Sequence, residues 1–308
     1  IRKSGSMKEE FLLRFRRRSV EAKRSACTKL CITSQFERNY NMSTRMERGS
    51  KYLREHGFFP TLVKTARVIL KHLAPSVYDP KLAWKFCPTS EEELTEERRH
   101  TFEQNYTFSI LIPMYCTPID FFKELIASIT SQTYTNWELC LADGSGKDTE
   151  AYEYICEIMK HDQRISYRRL ESNEGISGNT NQALDMASGD YIVLCDHDDL
   201  LEPDALYEVM KALSKDDTID TLYTDEDKVE MDGVKHFDPA FKPDFNIDFL
   251  RGGNYICHMF VTRTKIAQQV RFMSTYDGAQ DFDFIFRCAE ASRRVYHIPK
   301  ILYHWRCH

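Results

Sequence analysis

Three aspartates follow a short apolar run in the segment 190-DYIVLCDHDDLLEPDAL-206. Asp196, Asp198 and Asp199 fall within four positions, and like charges that close repel one another and resist burial. Either the carboxylates spread into water or a positive group lies among them. Carboxylates are the hard oxygen ligands that Mg²⁺ or Mn²⁺ prefers, commonly beside substrate phosphates. The alternative is an acidic loop that caps a helix expected from Pro203.

Polar residues also end two earlier apolar runs, at Pro113-Met114-Tyr115 and at Asp143-Gly144-Ser145. Helical patterns separate these runs, and such alternation predicts a mostly parallel sheet with helices on both faces. Ligands of such sheets bind outside the carboxyl ends of the strands, so the three polar strand ends are expected at one edge. The predicted strands are residues 108–113, 137–143, 165–170 and 191–196, and the predicted helices are 119–132, 148–161, 179–188 and 203–215.

The composition is typical of a soluble globular protein, with 42% hydrophobic and 29% charged residues. No apolar run approaches the roughly 20 residues that span a bilayer. The ten cysteines form no CxxC pair, and several lie in apolar runs, which favours free thiols and a reducing, cytoplasmic compartment. Residues 1–7 read as vector-derived.

The charge of the chain is unevenly distributed. Residues 1–75 contain 18 Lys and Arg against 6 Asp and Glu, a net charge of +12, within a total of −5. Residues 8–104 are predicted to form a basic helical region and linker, in which 10-EFLLRFRRRSV-20 is a basic amphipathic helix. Such a helix suits an anionic membrane surface. Docking on the body of the protein or on another subunit is an equal alternative, and no motif supports nucleic-acid binding.

Four motifs occur in order along the chain: 109-SILIPMY-115, 138-ELCLADGS-145, 173-NEGISGNTNQAL-184 and 194-LCDHDDLLEPDAL-206. With them, the sequence resembles glycosyltransferase family 2, the inverting nucleotide-sugar transferases, over about residues 107–306. The resemblance implies an α/β fold of the GT-A type over residues 105–308. Three later segments resemble a bacterial subgroup that builds cell-surface polysaccharides: 223-YTDEDK-228, 279-AQDFDFIFR-287 and 298-IPKILYHWR-306.

The resemblance implies that the nucleotide-sugar donor binds at the strand ends. Pro113 and Tyr115 would contact the nucleoside, with Tyr115 stacking near the base. Asp143 would accept a hydrogen bond from the base, and Asn173 would lie beside it. Asp196 would lie near the ribose and the sugar. Taken alone, Tyr115 is also compatible with a core aromatic, Pro113 with a strand end and Asp143 with a turn.

The resemblance also implies a bound Mn²⁺ or Mg²⁺. Asp198 would bind the metal that holds the diphosphate, and His304 matches a histidine that supplies a further metal ligand in some relatives. Arg306 would reach the phosphates, and Asp281 would be the general base. From the sequence pattern alone, His304 is equally compatible with a core histidine. Asp281 and Asp283 flank Phe282, so the two are expected to share a face, and a cap of the following helix is the alternative for one of them.

Three positions depart from the family pattern, and they bear on the identity of the donor more than on activity. Ala142 replaces the first of two aspartates that often precede Gly-Ser, Gln280 replaces the glutamate of a Glu-Asp pair, and Thr180 replaces a frequent arginine.

The resemblance therefore implies an inverting, metal-dependent transferase that moves a sugar from a nucleotide-diphosphate donor to a glycan or lipid-linked glycan in cell-surface polysaccharide synthesis. It would act in the cytoplasm, peripheral to the inner face of the cell membrane. Two alternatives stay open. A nucleotidyltransferase lacks support because no glycine-rich phosphate loop is visible. A non-catalytic scaffold that binds sugar nucleotides is disfavoured because Asp198 and Asp281 occur together.

Overall fold

A computed structural model of the chain describes residues 85–146 and 148–307. The predicted basic amphipathic helix, residues 1–7 and most of the region 8–104 lie outside the described residues. The helices are α1 (Glu91–Arg99), α2 (Ile119–Thr130), α3 (Glu150–Ile158), α4 (Gly175–Leu184), α5 (Ala205–Leu213), α6 (Ile247–Gly252), α7 (Thr264–Val270) and α8 (Gln280–Ala291), with a 3-10 turn at Ser274–Tyr276. The strands are β1 (Phe108–Met114), β2 (Trp137–Asp143), β3 (Ile165–Arg169), β4 (Tyr191–Leu194), β5 (Leu200–Leu201), β6 (Thr221–Val229), β7 (His236–Ala240), β8 (Phe260–Arg263) and β9 (Val295–Arg306).

The strands form one mixed sheet in the order β3-β2-β1-β4-β8-β6-β9-β5, with β7 also paired to β6. Strands β3, β2, β1 and β4 are parallel, as predicted. The other half contains the antiparallel pairs β4–β8, β6–β8, β6–β7 and β5–β9. Apolar patterning did not reveal this half, because β6 carries acidic residues at 225–227 whose burial depends on partners distant in sequence.

Buried side chains form one layer on each face of the sheet. Along β1, Phe108 and Ile110 belong to one layer and Leu111 to the other, because successive strand residues point to opposite faces. Helix α2 buries Leu125 and Ile129 in the first layer, one helical turn apart. The apolar residues that identified these elements in the sequence therefore form the core.

Helix α1 lies in the region 8–104, for which the sequence predicts helices and a linker. Ser90 and Glu93 form a capping box at its amino end, which satisfies backbone N–H groups there. The hydroxyl of Thr133, after α2, donates a hydrogen bond to Glu97 over 2.9 Å. Contacts of the sheet domain thus extend upstream of the expected boundary at residue 105.

None of the helices in residues 85–146 and 148–307 has the length and apolarity needed to cross a membrane. The eight cysteines in this part of the chain are free, in agreement with the sequence.

The carboxyl ends of β1, β2 and β4 meet at one edge of the sheet. Strand β1 lies between the other two, with Met114 opposite Asp143 on β2 and Leu111 opposite Leu194 on β4. The helices that follow β1 and β2 pack on one face of the sheet, and α4, which precedes β4, packs on the other. The direction of the connections therefore reverses between β1 and β4, which creates the kind of crevice where ligands bind. The predicted convergence of three strand ends is confirmed.

Candidate active site

Two adjoining cavities lie at this edge. The Tyr115 cavity, of about 350 Å³, is lined by Tyr115, Asn173 and Asp198 among others. The Asp281 cavity, of about 200 Å³, is lined by Asp281 and His258 among others. The residues that line both cavities are Pro113, Ile176, Asp196 and Trp305.

Three of the predicted nucleoside contacts lie together in the Tyr115 cavity. Tyr115 follows β1 directly and is 52% exposed, so its ring is accessible to a planar ligand. Pro113 lines the same wall. Asn173 is held in place, since its Oδ1 accepts hydrogen bonds from the Gly175 backbone and from Asn179 Nδ2, each over 3.0 Å.

Asp143 ends β2 at this edge of the sheet, but its carboxylate lines neither cavity. The side chain is buried, and its Oδ1 accepts hydrogen bonds from the Ser145 backbone (2.9 Å) and hydroxyl (2.5 Å). Its Oδ2 accepts a hydrogen bond from the Tyr167 hydroxyl over 3.0 Å. In this arrangement Asp143 holds the loop after β2, and both oxygens already have donors.

The three clustered aspartates have different surroundings. Asp199 is fully buried and accepts hydrogen bonds from the Tyr303 hydroxyl (2.6 Å) and the Arg306 backbone N–H (2.7 Å). Burial, followed by repulsion from Asp196, raises the pKa of Asp199 well above its usual range. Asp196 and Asp198 are partly exposed and line the Tyr115 cavity. One carboxylate is therefore internal, whereas the other two face the space where a ligand would bind.

Asp196 also faces His258. The His258 Nε2 lies 3.6 Å from Asp196 Oδ2, and its ring stacks on Tyr303 with centroids 4.7 Å apart. Asp196, Asp199 and His258 offer potential metal-ligand atoms within 4.8 Å of one another. Asp198 is not part of that group, but it lines the Tyr115 cavity with Asp196, and carboxylate oxygens are ligands of the kind that Mg²⁺ and Mn²⁺ prefer.

Asp281 and Asp283 have different contacts. Both lie in the first turn of α8, but Asp281 lines the Asp281 cavity and accepts a hydrogen bond from Asn254 Nδ2 over 2.8 Å. Asp283 instead forms an ion pair with Arg287 on the same helix. The geometry leaves Asp281 as the carboxylate that faces the cavity.

The structure does not bring His304 to either cavity. Its Nδ1 contacts Asp227 over 2.5 Å and its Nε2 contacts Glu202 over 2.8 Å, so both ring nitrogens are engaged. Burial would lower the pKa of His304, but hydrogen bonds to Asp227 and Glu202 outweigh it and raise the pKa to about 9. With Asp227 and His236, His304 offers potential ligand atoms within 4.8 Å of one another. This buried group is separate from the walls of the two cavities.

Arg306 is also absent from both cavity walls. Its buried guanidinium donates to Glu124 Oε2 (2.6 Å), to the Met231 carbonyl (2.9 Å) and to the Asp198 carbonyl (2.7 Å). All three acceptors belong to the protein, so the side chain holds the backbone of the aspartate cluster and does not reach the space for phosphates.

Strand alternation explains both displacements and exposes a residue that the sequence analysis missed. In β9, His304 and Arg306 are buried on one face, whereas Trp305 between them is 43% exposed and lines both cavities. Side chains two positions apart share a face, and the residue between them faces the other way. The alternation of faces could be predicted from the motif, but the face that lines the cavities could not. Asn254 was missed because no pattern in the sequence marks it.

The fold and the site agree with a known family. The family model described as Glycosyl transferase family 2 matches residues 109–271, more than half of the chain. The chain belongs to this family.

Individual relatives match a similar part of the chain. An uncharacterized protein, y4gI, of Sinorhizobium fredii is 40% identical over 64% of this chain and 22% of its own length. The O-antigen biosynthesis protein RfbC of Myxococcus xanthus is 32% identical over 64% of this chain and 16% of its own length. The chain thus spans about a fifth of these relatives. A crystal structure of residues 1–349 of S. aureus TarS in complex with UDP-GlcNAc shares the GT-A fold, with a TM-score of 0.55 and 19% identity over 66% of this chain and 59% of that chain.

Proposed function

We propose that this chain is an inverting, metal-dependent glycosyltransferase domain. It moves a sugar from a nucleoside diphosphate to a glycan or lipid-linked glycan in cell-surface polysaccharide synthesis. Family membership supports the reaction class, and the name of the O-antigen relative supports the pathway. The net charge of +12 in residues 1–75 supports a peripheral position on an anionic membrane surface.

The charge of the cavity walls carries this proposal. Among the described residues, the two cavities are lined by the carboxylates Asp196, Asp198 and Asp281 and by no Lys or Arg. A diphosphate is strongly negative, and beside these carboxylates it needs a cation. The donor set of Asp196 and Asp198 fits Mn²⁺ or Mg²⁺, which would neutralise the charge that develops on the diphosphate leaving group.

The remaining wall residues suit the two ends of a nucleotide sugar. Tyr115 would stack on the base, with Asn173 and Pro113 beside it, and a uridine donor is the first to test because TarS was crystallised with UDP-GlcNAc. Trp305 offers an exposed aromatic surface between the two cavities, and aromatic side chains in such cavities suit the apolar face of a sugar ring.

Asp281 would act as the base of a single displacement. It accepts the proton of the acceptor hydroxyl while that oxygen bonds to the anomeric carbon. The bond from this carbon to the phosphate oxygen breaks on the opposite side, and the nucleoside diphosphate leaves. One base and one displacement invert the anomeric centre, so no second carboxylate is needed as a nucleophile.

The comparison of Asp281→Asn with Asp283→Asn tests this proposal. Both changes remove one charge from the same turn of α8, but only Asp281 lines the cavity. Nucleoside diphosphate release from UDP-GlcNAc and other nucleotide sugars, with water or glycan as acceptor, should fall roughly 10²- to 10⁴-fold in Asp281→Asn. Asp283→Asn should stay within about 3-fold of wild type.

Normal turnover by Asp281→Asn would contradict the assignment of the base. Release of pyrophosphate in place of nucleoside diphosphate would select a nucleotidyltransferase. Binding of nucleotide sugar without any turnover by the wild type, with Mn²⁺ or Mg²⁺ present, would select a scaffold.

A further inference from the structure

One short segment, residues 254–258, reaches both carboxylates of the Asp281 cavity. At one end Asn254 contacts Asp281, and at the other His258 faces Asp196. Cys257 and His258 line the cavity wall between these contacts. The 254–258 segment therefore sets how the two carboxylates stand relative to one another.

The orientation of the Asn254 amide is fixed by its second contact. Its Oδ1 accepts a hydrogen bond from the Cys257 backbone N–H over 3.1 Å. Because only the amide oxygen can accept that hydrogen bond, the Nδ2 group must be the one that faces Asp281. The 2.8 Å contact is thus an N–H donor on Asp281 Oδ2. Among the described residues, no hydrogen-bond donor reaches Asp281 Oδ1.

A buried lysine anchors the segment from behind. Lys242 is 8% exposed, and its ammonium donates hydrogen bonds to the carbonyls of Ile256 (2.5 Å) and His258. It also pairs with Glu226 over 3.2 Å, and Glu226 in turn accepts the His258 backbone N–H over 2.9 Å. Charge-assisted hydrogen bonds of this kind are strong and directional, so the backbone that carries Asn254 is held firmly.

We propose that Asn254 is a positioning residue that aims the general base, an inference that rests on the proposed function of Asp281. The Asn254 amide group donates a hydrogen bond to Asp281 Oδ2 and cannot itself take a proton. The other oxygen of the carboxylate, Asp281 Oδ1, therefore receives the proton of the acceptor hydroxyl. The contact also fixes the carboxylate rotamer, and a misplaced catalytic group costs turnover more than donor affinity.

The variant Asn254→Asp tests this role with little change of shape. An aspartate still offers an oxygen to the Cys257 N–H, but it loses the donor to Asp281. We expect turnover, measured as nucleoside diphosphate release from UDP-GlcNAc or whichever nucleotide sugar the wild type uses, to fall roughly 10- to 100-fold. The donor KM should change less than about 2-fold. The matched control is Asn246→Asp, because Asn246 caps α6, lines neither cavity and accepts the Phe249 N–H as an aspartate also would.

Three results would overturn the proposal. Asn254→Asp could keep the turnover of the wild type, its donor KM could rise by the same factor as its turnover falls, or Asn246→Asp could lose as much turnover as Asn254→Asp. If a thermal unfolding measurement shows that Asn254→Asp is not folded, turnover and donor KM are measured on Asn254→Ala instead. The Asp281→Asn variant, assayed in parallel, distinguishes a failure of the proposed base from a failure of the positioning role. An active Asp281→Asn refutes the proposed base itself, whereas an inactive Asp281→Asn with an unaffected Asn254→Asp refutes only the positioning role.

Discussion

Asp199 and Asp220 are both buried aspartates that directly precede a strand, yet their partners differ. Asp220, before β6, accepts hydrogen bonds from Arg263 and Arg293, each over 2.7 Å at the closest. Among the described residues, the donors to Asp199, before β5, are the neutral Tyr303 hydroxyl and the Arg306 backbone. Burial would raise the pKa of Asp220, but the arginines lower it to about 2. Among the described residues no such cation hydrogen-bonds to the Asp199 carboxylate through its side chain, and burial raises the pKa of Asp199.

This difference separates a region whose buried carboxylate is compensated by the protein from the region to which we assign the donor and the metal. Around Asp220, the protein supplies the opposite charge itself. Around the Asp196–Asp199 cluster, the nearby Arg306 guanidinium is turned to Glu124 and to two carbonyls instead. The Tyr115 cavity is lined by Asp196 and Asp198 and, among the described residues, by no Lys or Arg. Clustered carboxylates at a cavity are expected where a bound cation completes a site, as we propose for this one.

The largest expected effect is on donor binding in Asp198→Ala. Removing this carboxylate removes a proposed metal ligand, so the Mn²⁺-dependent affinity for UDP should fall about 100-fold or more, measured by calorimetry with and without metal. The melting temperature should stay the same or rise slightly, because repulsion within the cluster decreases. Unchanged metal-dependent binding would show that this region is an acidic loop and not a metal site.

The converse effect is expected for Asp220→Ala. The change leaves Arg263 and Arg293 without their buried carboxylate, and we expect the free energy of unfolding to fall by about 2–3 kcal/mol, less than for a fully buried pair because Arg293 is largely exposed. Urea unfolding measures the loss, and UDP affinity should not change. The control Asp248→Ala breaks an exposed pair with Arg251 and should cost under about 1 kcal/mol. A large loss of UDP affinity in Asp220→Ala would remove the distinction between the two regions.

The sequence predicted the parallel half of the sheet and the meeting of its polar strand ends. Both followed from local patterns, since β1, β2 and β4 are short apolar runs whose ends carry Tyr115, Asp143 and Asp196. The position of Asp281 in a cavity agrees with its predicted role, which the variants above test.

The sequence could not predict the side on which β9 presents its residues. His304 and Arg306 lie in a motif next to the site, but the pairing of β9 with β6 and β5 turns them into the core and leaves Trp305 facing the cavities. A shift of one residue would exchange these faces, and strand register depends on long-range pairing. The contact from Asn254 to Asp281 spans 27 residues and likewise requires the folded chain.

The smallest expected effect concerns acid stability and sharpens the comparison at Asp220. Its folded pKa of about 2 lies below the unfolded value of 3.8, so its contribution to stability is present above pH 4 and is lost as the pH falls toward 2. In urea unfolding, wild type should be more stable than Asp220→Asn at pH 7, and this advantage should shrink by about 1–2 kcal/mol between pH 4 and pH 2.5, allowing for solvent screening. The difference between wild type and Asp248→Asn, an exposed pair, should stay nearly constant over that range. A constant advantage over Asp220→Asn would mean that hydrogen-bond geometry, and not charge compensation, gives Asp220 its stabilising role.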